Sequence, residues 1–308
     1  MDVLITGGSG LIGRALTAEL VKYGDRVVIL SRRPDKMKNL SPGVRTAVWD
    51  GKSAQGWGHL INEVDAVVNL AGASIAGNSP LSMRWTKKRK AQIRSSRINA
   101  GKAVLEAIIS AEKKPEVLVQ ASAIGYYGYH GDQPIEEDSP AGSDFLAQLS
   151  IEWESGTKLV EDQGVRHLVI RTGLVLSSAG GVMPLFKMQF GLFAGGRMGS
   201  GRQYYSWIHV ADQVGAIVYL LKTKSTSGAY NLTAPQPETN QDFSRILGKV
   251  MRRPSVVPVP EFALRAALGE VADLTVKGQR VLPRRLLEAG YLFQFPNLES
   301  AFVDLLKS

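Results

Sequence analysis

The stretch TGGSGLIG, residues 6 to 13, constrains this chain more than any other. It follows a short apolar run, DVLIT, and opens an amphipathic one, LIGRALTAELVKYG. Glycines at 7, 10 and 13 permit a tight turn and let the backbone approach a pyrophosphate, whose charge then sits on free N–H groups at the positive end of the helix. A glycine pattern alone is a weak signal, but between a first strand and a first helix it predicts a dinucleotide site. Gly7, Gly8, Ser9, Gly10, Leu11, Ile12 and Gly13 are therefore expected cofactor contacts.

The rest of the first 172 residues repeats this grammar. RVVILS, VRTAVW, AVVNLAG, EVLVQASA and VRHLVIR read as strands, and the stretch from Thr86 to Ala111 as a helix between two of them. Near-continuous apolar strands alternating with helices predict an α/β fold, a doubly wound parallel sheet of Rossmann type covered on both faces. Beyond it, a glycine- and aromatic-rich stretch lacks a clean period until a helix over 210–222, and AYNLT reads as a strand. After Thr239 the chain is helical pieces broken by Pro254, Pro258, Pro260 and Pro283. This predicts a dinucleotide-binding Rossmann domain over 1–178 plus 208–232, and a smaller, mostly helical C-terminal lobe over 179–207 plus 233–308.

Composition narrows the chemistry. With no cysteine among 308 residues, disulfides, thiolate metal sites and cysteine nucleophiles are excluded. The four histidines, at 59, 130, 167 and 209, have no metal-ligand spacing, so no metal is expected. The absence of a basic and apolar leader before DVLIT, and of a membrane-length apolar run, predicts a cytoplasmic protein that spans no membrane. Most of the +9 net charge lies in RWTKKRKAQIRSSR, residues 84 to 97, which has seven basic residues and no acidic one. No aromatic platform or reading module accompanies it, so it reads as a solvated helix face that helps hold an anionic cofactor, with no nucleic acid partner.

The end of the second strand chooses the cofactor. An NAD site places a carboxylate about 20 residues after the glycines to accept from the ribose hydroxyls. Here the sequence reads LSRRP, with Ser31, Arg32 and Arg33 and no acid. Two guanidiniums favour a 2′-phosphate, which a carboxylate would repel, so NADP(H) is predicted.

The Gly-x-x-Gly-x-x-Gly spacing, NLAG at 69 to 72, the INAGKAVLEAI helix, the Tyr127-Gly128 pair, VIRTGLVL and WIHVADQ resemble the extended short-chain dehydrogenases/reductases. SAIGYYG, FLAQLSIEWE, GSGRQYYSWIHV and VKGQRVLPRRLLEAGY are similar to an atypical subgroup, the epimerase family proteins of the SDR39U1 type. The resemblance implies that Leu70, Ala71 and Gly72 line the cofactor, that Asp50 meets the adenine, and that Arg97 contacts a phosphate or ribose. It also implies a homodimer paired through two helices.

The superfamily's usual acid/base couple is a tyrosine and a lysine four residues later, with a serine or threonine holding the substrate oxygen. In this chain the corresponding positions fall at Leu149, Trp153 and Ala123, with Ser122 adjacent. A leucine donates no proton, and an indole carries no charge to depress a neighbour's pKa. The remaining candidates are Tyr126, Tyr127 and Ser122, at the carboxyl end of a central strand. Trp85, Arg202, Tyr204, Tyr205, Trp207 and His209 form a second, aromatic and basic set that could face an anionic or ring-shaped substrate. Two readings follow: an NADP(H)-dependent oxidoreductase with a degenerate triad and an unknown small-molecule substrate, or a non-catalytic NADP(H) sensor or scaffold. Members of the family have been named after cell-division inhibitors, which links the second reading to cell division.

Overall fold

The computed structural model describes residues 1–37, 40–76 and 84–307. Seven strands form one sheet: β1 (Asp2–Thr6), β2 (Arg26–Ser31), β3 (Val44–Val48), β4 (Ala66–Asn69), β5 (Val117–Ala123), β6 (Arg166–Thr172) and β7 (Gly228–Leu232). Their spatial order is β7-β6-β5-β4-β1-β2-β3, and every pairing is parallel. Chain direction across the sheet reverses between β1 and β4, which opens a crevice at their carboxyl ends, where doubly wound folds bind ligands.

The strands are apolar on both faces because both are covered. Val3, Ile5, Val27, Ile29, Val68 and Val119 pack towards one face, in one core with residues of α1 (Leu11–Lys22). Leu4, Val28, Val67 and Leu118 pack towards the other, against Ala100, Ala103 and Val104 of α2 (Lys87–Ser110). The second of these faces is also flanked by α3 (Phe145–Ser155), whose first amides are capped by Asp144. One polar line crosses the apolar strands near their carboxyl ends. Thr6 Oγ1 donates to Asn69 Oδ1 at 2.6 Å, Asn69 Nδ2 to Gln120 Oε1 at 2.8 Å, and Gln120 Nε2 to the Ala121 carbonyl at 2.8 Å. All three side chains are fully buried and mutually satisfied, so they fix the strand ends beneath the crevice.

After β6 the chain leaves the sheet. The strands Leu174–Ser177 and Trp207–His209 pair in parallel, with Gly180–Gly181 added antiparallel. Between them lies α4 (Met183–Gly191), in the stretch where the sequence shows no clean period. Pro184 sits in its first turn, and Met183, Leu185, Phe186, Met188 and Phe190 place apolar groups around most of its circumference, which erases the amphipathic signal. The chain then forms α5 (Val210–Lys222), which packs on α1 before β7 rejoins the sheet. The C-terminal segment adds α6 (Asn240–Met251), α7 (Glu261–Leu268) and α8 (Leu298–Leu306). Phe243 and Leu247 of α6 and Phe302 of α8 build a separate core with Trp207, Met183 and Phe190. Arg280–Val281 pairs with Pro134–Ile135 and so joins this segment to the loop after β5. Among the described residues no helix is long and apolar enough to cross a membrane.

Candidate dinucleotide site and the region beside it

The glycine loop closes over the crevice at three points where a side chain would not fit. Gly7 has φ +69°, and a Cβ there would lie 2.7 Å from the Leu70 carbonyl oxygen; at Gly8 it would lie 2.5 Å from Ile29 Cγ2; at Gly13, 2.6 Å from Gly8 Cα. The first departure is conformational, the others are packing. Gly10 caps α1 without a side-chain bond, so among the described residues no side chain caps the first amides of this helix, which form its positive end. Ser9 and Gly10 are exposed at its lip, and Leu11 lies against Gly180 and Gly181 across the crevice. Leu70 and Ala71 are held from β1: their amides donate to the Thr6 carbonyl and to Thr6 Oγ1, both at 3.2 Å.

At the end of β2, Ser31 Oγ accepts from the Arg33 amide at 3.2 Å. Arg32 and Arg33 are exposed, and neither guanidinium has a carboxylate partner among the described residues. Arg32 Cδ would be 3.7 Å from a Cβ on Gly51, which sets this arginine beside the loop after β3. That loop is rigid for a local reason. Asp50 accepts from the amides of Lys52 and Ser53 at 2.7 and 2.9 Å and from Ser53 Oγ at 3.0 Å, and these bonds hold its carboxyl below the usual range. The Ser53 carbonyl in turn accepts from the indoles of Trp49 and Trp57, whose rings meet edge to face. Asp50 thus builds the wall of a shallow depression of about 430 Å³ lined by Val48, Trp49 and Gln55.

Beside the carboxyl ends of β5 and β6 the structure has a buried ion pair. Arg171 donates to Glu154 in bidentate fashion, Nε to Oε1 and Nη2 to Oε2, both at 2.9 Å. Ser122 Oγ donates to the same Glu154 Oε1 at 2.5 Å and is itself buried, so Ser122 is committed to this pair. Arg171 Nη1 reaches the Tyr127 hydroxyl at 3.0 Å, and that hydroxyl donates to Asn231 Oδ1 at 2.7 Å. Tyr127 has no exposed surface, and burial pushes its pKa up to about 12 despite the nearby Arg171. It is placed as a strut between β5, β6 and β7 instead of as an acid open to a substrate. Tyr126 differs: it is half-buried, its ring lies on the Arg171 guanidinium at 3.5 Å, and its hydroxyl bonds no described residue.

On α3, Leu149 lines a depression of about 440 Å³ with Arg94, Gln148 and Glu152. The residues of this helix that meet the end of β5 are Leu146, beside Gly125, and Glu154. Positions 146, 150 and 154 form one stripe of this helix, and Leu149 and Trp153, both buried, form the neighbouring one. In neither stripe is there a tyrosine or a lysine. Trp153 is buried, and its ring carries the Arg97 guanidinium at 4.8 Å. Arg97 also abuts Gly72, where a Cβ would lie 3.1 Å from its Cζ.

The second aromatic set does not assemble. Tyr205, Trp207 and His209 are buried in or against the C-terminal core; Trp207 Nε1 donates to the Gln236 carbonyl, and His209 Nδ1 accepts from the Ala211 amide as the cap of α5. Trp85 instead packs on Phe145, and Arg280 lies over Tyr204. Alternation along 204–209 sends neighbouring side chains to different sides, which a residue cluster in sequence cannot reveal. Among the described residues no group of three or more histidine, aspartate or glutamate side chains converges to hold a metal.

Comparison with known proteins matches this architecture. Residues 3–233 match the NAD dependent epimerase/dehydratase family, and residues 259–305 a domain of unknown function (DUF1731). The chain is 39% identical to the epimerase family protein YfhF of Bacillus subtilis, over 99% of this chain and 98% of that one. It is also 39% identical to the chloroplastic SDR39U1 homologue of Arabidopsis thaliana, over 98% of this chain and 85% of the relative. The crystal structure of human epimerase family protein SDR39U1 (isoform2) with NADPH superposes with a TM-score of 0.86 at 33% identity, covering 99% of both chains. The chain belongs to the NAD dependent epimerase/dehydratase family, as an extended short-chain dehydrogenase/reductase of the SDR39U1 type.

Proposed function

We propose that this protein binds NADP(H) and is an oxidoreductase that works on a small molecule without a tyrosine–lysine couple. The observation that carries the cofactor assignment is the pair Arg32 and Arg33 at the end of β2, exposed and without a carboxylate partner among the described residues, beside a cradle that only glycines fit. The solved human relative bound to NADPH supports it. In this reading the amides at the start of α1 hold the pyrophosphate, Arg32 and Arg33 the 2′-phosphate, and Asp50 and Gln55 wall the adenine.

The bound cofactor supplies or accepts the hydride. The chain's own contribution is position: Thr6, Asn69 and Gln120 fix the strand ends beneath the reacting groups, and holding reactants together lowers a barrier without an ionisable couple. Tyr126 is the phenol left to donate to a substrate oxygen, since the Tyr127 and Ser122 hydroxyls are engaged in the protein. The test follows nicotinamide absorbance as protein and NADPH meet a metabolite-rich cell extract and a desalted one. Oxidation by the parent that is lost in Arg32→Ala and slowed in Tyr126→Phe supports the reading; turnover unaffected by either substitution sinks it.

A second reading is favoured by one observation, the engagement of Ser122 and Tyr127 in a structural network where the family's chemistry usually sits. It makes the protein an NADP(H)-dependent sensor or scaffold. NADPH binding with no oxidation in any extract, together with partners captured only in its presence, is the result that selects it.

A further inference from the structure

Residues 66 to 105 contain eight lysines and arginines and no aspartate or glutamate. Most of these charges are spent elsewhere or lie in solvent. Lys90 pairs with Glu270, and Arg94 holds Glu152 with two bonds at 2.6 and 2.8 Å. Arg84 donates to the carbonyls of Ala266 and Ala267. Two half-buried guanidiniums remain, Arg89 and Arg97, and they converge on one loop.

Arg97 Nη1 donates to the carbonyls of Ala73 and Ile93, both at 3.0 Å. Arg89 donates through Nη2 to the next carbonyl, that of Ser74, and through Nη1 to Gln92 at 2.8 Å, while its Nε is buried without a partner among the described residues. Neither guanidinium has a carboxylate in contact among the described residues, and the sequence of 77–83, GNSPLSM, contains none. Burial and then the neighbouring Arg89 charge lower the Arg97 guanidinium to about 10, so it stays a cation at neutral pH. Two like charges held together away from a counter-ion are unfavourable unless an anion joins them.

The position of the pair says which anion. Arg32 and Arg33 lie at the end of β2, and the glycine loop follows β1, with Gly7 against Leu70 just after β4. A dinucleotide with its 2′-phosphate at β2 and its pyrophosphate on the loop therefore extends its nicotinamide end towards β4 and β5. Arg97 stands at that end, against Gly72 and Trp153. In the reading above the glycine loop, Arg32 and Arg33 hold the cofactor's phosphates, so Arg97 is left for a contact to the substrate in place of the phosphate or ribose contact that the resemblance implies for it.

We propose that Arg89 and Arg97 form the anion subsite of the substrate, seating a carboxylate or phosphate beside the nicotinamide, with Trp153 as the residue that positions Arg97. This rests on the NADP(H) reading above and adds a substrate class to it. A planar guanidinium braced on an indole and a carbonyl presents its remaining N–H groups as a fixed fork, suited to either anion.

The test titrates malonate and phosphoglycolate, with dimethyl malonate as the neutral control, into NADPH-saturated protein by calorimetry. NADPH affinity is measured separately on each variant, and thermal unfolding verifies that each is folded. The subsite predicts that the two anions bind and the ester does not, that Arg89→Gln and Arg97→Gln each weaken the anions by at least about tenfold, and that NADPH affinity shifts by less than about threefold. Arg97→Lys, which keeps the charge without the fork, is expected to fall between. NADPH affinity that drops in step with the anions would assign the pair to the cofactor's own phosphates and overturn the proposal, as would anions that give no heat with saturated parent protein. If the parent does not bind NADPH, the cofactor reading fails by itself. Anion binding by the cofactor-free protein, lost in both glutamine variants, then upholds the subsite, and its absence overturns it.

Discussion

Tyr126 and Tyr127 are adjacent, chemically identical and placed in opposite circumstances. The Tyr127 hydroxyl joins Arg171 to Asn231, a partner 104 residues further along the chain, and only the fold brings that partner into reach. Tyr127→Phe should therefore cost about 1–3 kcal/mol of stability, the penalty for leaving buried polar partners unsatisfied, and should leave NADPH affinity unchanged. Chemical denaturation and a binding titration on the same variant check this. A variant of parental stability that has lost only turnover would restore Tyr127 as a catalytic group. The glycine loop was fully legible in the sequence because each glycine answers a local need. The choice between two neighbouring tyrosines was not, because it is made by a distant asparagine.

At the scale of elements, α3 is tied to β5 and β6 by the Glu154 carboxylate, which takes Arg171 and Ser122 at once. The side chains of Arg171 and Glu154 are 7% and 13% exposed, so the pair belongs to the interior. Removing one partner of such a pair strands the other, and Glu154→Gln is expected to destabilise the protein by about 3–5 kcal/mol. Glu154→Gln combined with Arg171→Met should recover much of that loss, and a double variant no more stable than the single would contradict the account. The sheet strands were readable because double burial demands apolar runs. Helix α4 is hidden in the sequence because its apolar residues surround it.

For the whole molecule, two buried histidines make stability depend on pH. Burial lowers the pKa of both His167 and His209, against the pull of Glu161 and Asp304 respectively. A base with a depressed folded pKa contributes its full stability above its unfolded value, near 6.5, and loses it as pH falls from there towards the folded value, because the unfolded chain takes up the proton first. The free energy of unfolding should thus decline as pH drops below about 6.5, with a shallower decline in a His167→Gln, His209→Gln chain. Equal slopes in the two proteins would show that carboxylates govern the acid limb instead.

The proposed dinucleotide site gathers one side of the sheet, since its parts come from the ends of β1, β2, β3 and β4 and the start of α1. Its central claim, that Arg32 and Arg33 select a 2′-phosphate, is tested most directly by titrating the purified protein with NADPH and with NADH and repeating both with Arg32→Ala. The account predicts NADPH bound more tightly by at least about tenfold, and an Arg32→Ala protein that loses roughly ten- to hundredfold in NADPH affinity, the worth of one charge-assisted bond, while its NADH affinity stays level. Equal affinity for the two cofactors, or an NADPH affinity untouched by the substitution, would contradict it.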